Sequence, residues 1–199
     1  MTREEKDRII KRAGELAGQY VPVYWGCGQS TFSAIADALR EGGIELCTKE
    51  DEDEMFKGIV GLSGGYGNMN IGTCGALVGA SFAVSLFSGI GREEQLRDPD
   101  HRRIAYDNVA GTIGERFLKE FGGLRCRDVT WKRFGKQYDS WDPEAKKEFN
   151  RDEEERGCIG EEKCTQPMAA RWTTGYILEL MENPLTLEKV KEKYAEVKT

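Results

Sequence analysis

Apolar residues in this chain recur at helical spacing, and nowhere do they alternate with polar ones over the length of a strand. The first row is Ile9, Ile10, Ala13, Leu16 and Ala17. It follows Thr2 and Glu5, the spacing of a capping box, and predicts a helix to about Tyr20, ended by Val21-Pro22. A second row, Phe32, Ile35, Ala36 and Leu39, starts just after Cys27 and stops at Gly42-Gly43. The acidic run Lys49 to Glu54 reads as a solvated lead into a short amphipathic piece, Met55 to Val60. From Gly58 to Gly91 there is no charge at all. The first part, dense in Gly and Asn, reads as a shaped loop, whereas Gly72 to Phe87 is apolar on every side and predicts a helix enclosed by others.

Further on, Asp98-Pro99 caps a long helix carrying Ala105, Val109, Ile113, Phe117 and Phe121, which Gly122-Gly123 ends. Leu124-Arg125-Cys126 opens a short helical piece toward Phe134. The polar span Gly135 to Gly157, with a cap at Asp142-Pro143, reads as an exposed helix or excursion. Thr165 and Pro167 start a helix that turns Met168, Trp172, Tyr176, Ile177 and Leu180 inward. After Asn183-Pro184, a last helix over 185–198 carries Leu187, Val190, Tyr194 and Val197. The pattern predicts an all-α, single-domain bundle over residues 1–199, with about seven to nine helices around a central buried apolar helix.

A chain of 199 residues is long enough to bury about two-thirds of its surface in one core. The net charge is −6, with basic residues interleaved among acids, which argues against nucleic acid as a partner. The uncharged run is long enough for a bilayer and contains Gly75 and Gly79 at GxxxG spacing. Its serines, asparagines and crowded glycines make it a poor span, so no membrane crossing is expected and the glycines read as a close crossing of two helices. The start, MTREEKDRIIKRAG, lacks the apolar segment of a secretory signal. A cytoplasmic, reducing location is expected, in which thiols stay reduced.

Several motifs lack their context. Gly61-Leu62-Ser63-Gly64-Gly65 matches a nucleophile elbow, but there is no sheet pattern and the only histidine is His101, so Ser63 reads as loop structure. The same shortage leaves Cys27-Gly28-Gln29-Ser30 without a base for a cysteine protease. Phosphate-cradling glycine motifs are missing as well. Six cysteines contain no C-x-x-C, against a zinc ribbon or thioredoxin-type pair, and no C-x-x-C-H, against c-type haem. Cys27 and Cys74 fall at predicted helix starts, where unsatisfied N–H groups and the positive dipole end favour thiolate. A cysteine that merely packs is the plainer alternative.

Cys74-Gly75-Ala76-Leu77-Val78-Gly79, with Cys27-Gly28-Gln29-Ser30 before it and Cys126 and Cys164 after it, resembles the C_GCAxxG_C_C family of redox-active proteins over roughly residues 20–182. FLKEFGGLRC, Phe117 to Cys126, has the family's look too. In the family signature Gly precedes the central Cys, whereas here Cys74 precedes Gly75; residues 136–157 read as an insertion. Cys164 is preferred over Cys158 as the last cysteine because it precedes the helix of Met168 to Leu180, which leaves Cys158 as a substitute ligand and Cys47 without a counterpart. The split-Soret cytochromes share this helical framework with added haem and an iron–sulfur cluster; without a haem motif only the cluster carries over.

The resemblance implies a redox protein. One form of it binds an iron–sulfur cluster through Cys27, Cys74, Cys126 and Cys164, with backbone at Gly72 and Gly75 aimed at the cluster. A metal-free form uses Cys74 as attacking thiol and Cys27 or Cys126 to resolve the mixed disulfide. Both require a redox partner protein, and the apolar helix faces allow a homodimer. A helical binding or scaffold protein with structural cysteines is the third reading.

Overall fold

Helices begin where capping residues stand. The computed structural model describes residues 1–156 and 163–195. The Thr2 hydroxyl accepts from the Glu5 amide, the Glu5 carboxylate accepts from the Thr2 amide, and α1 (Arg3–Tyr24) follows. This helix outlasts its predicted end. Pro22 lies within the final turn, where its missing N–H removes a single bond, and Trp25, in the left-handed conformation, closes the helix by donating to the Val21 carbonyl. Then α2 (Cys27–Glu41) runs to Gly42 as its pattern requires. Thr48 caps α3 (Lys49–Val60) by accepting from the Asp51 amide, so the acidic run forms the first half of that helix instead of leading into it. Nor is it wholly solvated: Glu52 is buried and accepts from Arg40 at 2.7 Å and Lys49 at 3.1 Å.

Cys74 is the N-cap of α4 (Gly75–Phe87). A short helix, α5 (Arg92–Arg97), lacks any apolar period and is invisible to pattern reading. The long helix begins with a 3₁₀ turn, Pro99–His101, continues as α6 (Arg102–Val109), widens through a π turn, Ala110–Gly114, and ends as α7 (Glu115–Phe121) at Gly122, whose φ is 74°. Next come α8 (Cys126–Phe134), α9 (Pro143–Glu155), α10 (Thr165–Glu182) and α11 (Leu187–Tyr194). The last is capped by Thr186 and starts two residues later than predicted, with Val197 outside the described residues. With α6 and α7 counted as one rod, ten helices and no strand are found among the described residues.

The core lies where α1, α2, α4 and α10 pack on one another, and α6 adds a further wall against α4. Phe32, Ile35 and Leu39 of α2 meet Ala80, Ala83 and Val84 of α4 and Ile177 of α10, all of them fully buried. α4 is central, although one edge carries Phe82 and Ser85 to solvent. In α10 the deepest row is Ala169, Ala170, Thr173 and Ile177, while Met168, Trp172 and Leu180 sit half-buried at the core's margin. None of the described helices is long and apolar enough to cross a membrane.

What brings α2 and α4 together is an absence of side chains. A Cβ on Gly79 would stand 2.1 Å from the Gly28 carbonyl oxygen and 3.1 Å from the Phe32 amide nitrogen. Both are backbone atoms, which cannot rotate away. The GxxxG pair of α4 thus serves a close crossing of two helices, as its surroundings in the sequence imply.

Gly79→Ala is expected to lower the free energy of unfolding by about 3 kcal/mol, the upper range for overpacking a tight core. Gly58→Ala supplies the control, since nothing lies within 4 Å of its Cβ position in α3. It should raise stability by up to about 1 kcal/mol. Urea unfolding measures both; equal effects of the two variants would contradict the crossing argument.

Candidate functional site

Four helices start on a cysteine. Cys27 and Cys126 are the first residues of α2 and α8, and Cys74 and Cys164 are the N-caps of α4 and α10. Two of these starts are stitched together by backbone: the Cys74 amide donates to the Leu124 carbonyl at 2.8 Å, and the Cys126 amide to the Gly72 carbonyl at 2.9 Å. Thr73 and Arg125 form an isolated antiparallel bridge between them. The third start is set by Ser63, whose hydroxyl accepts from the Gly28 amide at 3.0 Å and donates to Gln29 Oε1 at 2.7 Å. Ser63 is therefore a loop strut, as its sequence context implies.

Between α3 and α4 the chain makes an unusual coil. Gly64, Gly65, Tyr66, Gly67 and Asn68 all have positive φ, and Asn70 follows at 65°. Left-handed backbone is costly for a non-glycine residue, and a consecutive run of it is rare. It is held by bonds from Gly67 to the Gly61 carbonyl, Asn68 to Ser63, Asn70 to Gly64 and Gly72 to Gly65. The tightness has a purpose at Gly65: a Cβ there would lie 2.6 Å from Cys126 Cβ. On the other side, a Cβ on Gly75 would lie 2.7 Å from Cys27 Sγ. Glycine lets the loop and α4 close directly onto the thiols.

Cys27, Cys74 and Cys126 lie within electrostatic reach of one another. Burial pushes all three thiols up, and charge on Cys27 raises Cys74, while charge on Cys74 and on Cys27 raises Cys126. Cys74 reaches about 12. Opposing this, the Leu77 and Ala76 amides donate to the Cys74 sulfur, and the Gly64 amide and its own donate to that of Cys27. Among the described residues, no three His, Cys, Asp or Glu side chains converge tightly enough to hold a single metal ion.

The remaining cysteines divide. Cys164 is buried in a small second cluster with Phe134 and Tyr138. Arg133 donates to the hydroxyl of the adjacent Thr165 at 2.6 Å, and its charge lowers Cys74. Cys158 lies outside the described residues. Cys47 lies beside Arg40 and Glu52 at the far end of α2, roughly 20 Å along the helix from Cys27 at 1.5 Å per residue. Gly72, expected to face a cofactor, has its amide on the Gly65 carbonyl and its carbonyl on the Cys126 amide. Of the amides that do reach sulfur, Ala76 and Leu77 follow Cys74 by two and three residues, whereas Gly64 comes to Cys27 from the distant glycine loop and carries no sequence signal of its own.

A cavity of about 460 Å³ opens onto Cys27 and Cys126 and is walled by the glycine loop, Gln166 and α9. Pattern reading missed α9 as part of the site. Lys146, Phe149, Asn150 and Glu153 line the cavity at spacings of three, four and seven, one face of a helix whose single aromatic residue was the available clue. Phe149 packs on Phe134 and Tyr138, with ring centres 6.0 Å and 5.0 Å away. Tyr138 donates to Asp152, and Lys136 pairs with Asp152 and Glu148. The expected polar insertion is thus pinned over the thiols.

The sequence profile described as "Putative redox-active protein (C_GCAxxG_C_C)" matches residues 25–173. No curated protein and no solved structure matches the chain.

An unfolded thiol ionises near about 8.5, whereas folded Cys74 holds its proton to about 12. Its contribution to stability is fully present below the unfolded value and is lost as pH rises toward the folded one, at about 1.4 kcal/mol per unit. In reduced, metal-free protein the urea midpoint should therefore fall between pH 8 and pH 11. Cys27, Cys126, Tyr20 and Tyr138, also raised by burial, add to the fall. Cys74→Ala should shrink it, and an undiminished fall in that variant would show that Cys74 is not the group responsible.

Proposed function

Because the chain belongs to the C_GCAxxG_C_C family of redox-active proteins, we propose that Cys27, Cys74 and Cys126 are ligands of an iron–sulfur cluster that exchanges electrons with a partner oxidoreductase. One observation carries the reading: three thiols from three separate helix starts lie near enough to feel one another's charge. The donor set fits a cluster better than an ion. A single zinc would draw every sulfur to about 2.3 Å, while a cluster distributes its thiolates over several irons. Cys164 is the fourth ligand in this reading, with Cys158 as substitute.

When bound, the cluster supplies one-electron exchange. The protein's own residues do the rest. Amides of Gly64, Ala76 and Leu77 donate to the sulfurs and hold negative charge there, which raises the potential at which an electron is accepted. Phe149, backed by its aromatic neighbours, forms an apolar wall of the cavity that opens onto Cys27 and Cys126. The partner and a reducing, cytoplasmic setting belong to the same reading.

A metal-free dithiol fits less well. Attack on a disulfide needs thiolate, and burial drives Cys74 up to about 12, so little thiolate is present at neutral pH.

Protein purified without oxygen should be brown and contain iron and acid-labile sulfide. Cys27→Ser, Cys74→Ser and Cys126→Ser should each lose most of the iron, and Cys47→Ser should keep it. Colourless, iron-free protein after reconstitution, or equal loss in Cys47→Ser, would overturn the assignment.

A further inference from the structure

Beside the cysteine cavity lies a second, larger and more open one of about 760 Å³, within the range of small-molecule sites. Asn70 lines both. It is buried, and its side-chain amide donates to the Tyr138 carbonyl at 2.6 Å, fastening the glycine loop to the segment before α9.

The lining of this groove is selective in character. Trp141 is 72 % exposed and Ile71 55 %, high values for residues of this kind. Met69 joins them, so an indole face and two aliphatic side chains border one opening. Arg127, half-buried in the first turn of α8, is the cation of the lining, and none of the ion pairs or side-chain hydrogen bonds of the described residues engages its guanidinium. Its neighbour Asp128 is hydrogen-bonded by Arg125 at 2.7 Å and feels the charge of Arg127 only at longer range. Asp139, the carboxylate of the lining, accepts from the Trp141 amide at 3.0 Å. Gln137 adds an amide that can both donate and accept.

A guanidinium outside the ion pairs, lining one groove with an exposed indole, suits a ligand that is planar and negatively charged. The ring would stack on Trp141 and the anion would meet the planar fork of Arg127. We infer that this groove binds an aromatic anion of the kind represented by flavin mononucleotide. The inference goes beyond the cluster assignment, because nothing in the groove requires a metal. Arg127 directly follows Cys126, and Asn70 alone is shared between the groove and the thiol cavity, so the bound ring would rest against the wall of the redox site.

Calorimetric titration of the full chain with flavin mononucleotide, riboflavin and inorganic phosphate tests this, with and without iron. Flavin mononucleotide should bind saturably in both forms. Riboflavin, which lacks the anion, should bind at least tenfold more weakly, and phosphate alone should give no saturable heat. Arg127→Gln and Trp141→Ala should each weaken flavin mononucleotide binding at least tenfold. Both positions are half-buried or exposed, and circular dichroism would verify that the variants fold. Absence of saturable binding, unchanged affinity in both variants, or phosphate binding as tightly as the nucleotide would overturn the inference. Since the metal-free form is included, its failure is separate from any failure of the cluster assignment.

Discussion

The contact between the Gly28 carbonyl and Gly79 is the constraint on which the rest of the structure depends. It brings α2 and α4 closer than any pair of side-chain-bearing helices could come. One turn earlier, the same approach sets Gly75 against the Cys27 sulfur, so a packing requirement and a chemical one are met by the same spacing. Ser63 fixes the register from outside, and the left-handed coil that follows it folds back onto Cys126.

This arrangement places thiols where they are least able to ionise alone. Burial and mutual repulsion both favour the protonated form, and the amide donors offset them only in part. A positive centre bound among the sulfurs would reverse the balance, since metal ligation takes the thiolate form. Helix starts suit such a centre, because their free amides add positive field at the sulfur. Strain held in the left-handed run is consistent with a site whose shape is maintained by its surroundings.

Local signals were legible in the sequence and distant ones were not. Thr2 with Glu5, and Asp142 with Pro143, announce their helices because a cap and its partner lie within four residues. α5 carries no apolar period and leaves no trace. Of the cysteines, Cys27 and Cys74 stand out by position at helix starts, whereas Cys126 and Cys164 were identified through resemblance to a family. Which thiols meet is a property of the crossing, and no spacing in the chain encodes it. The same holds for α9: its polar sequence describes a solvated helix, yet Phe149 turns one face of it toward the thiols.

In the proposed reading, separate helix starts deliver their cysteines to one metal centre. Crystals grown without oxygen and measured at the iron absorption edge would test it most directly. An anomalous peak bonded to the sulfurs of Cys27, Cys74 and Cys126 is expected. An empty position among those sulfurs, or a disulfide between two of them in the as-isolated protein, would contradict it.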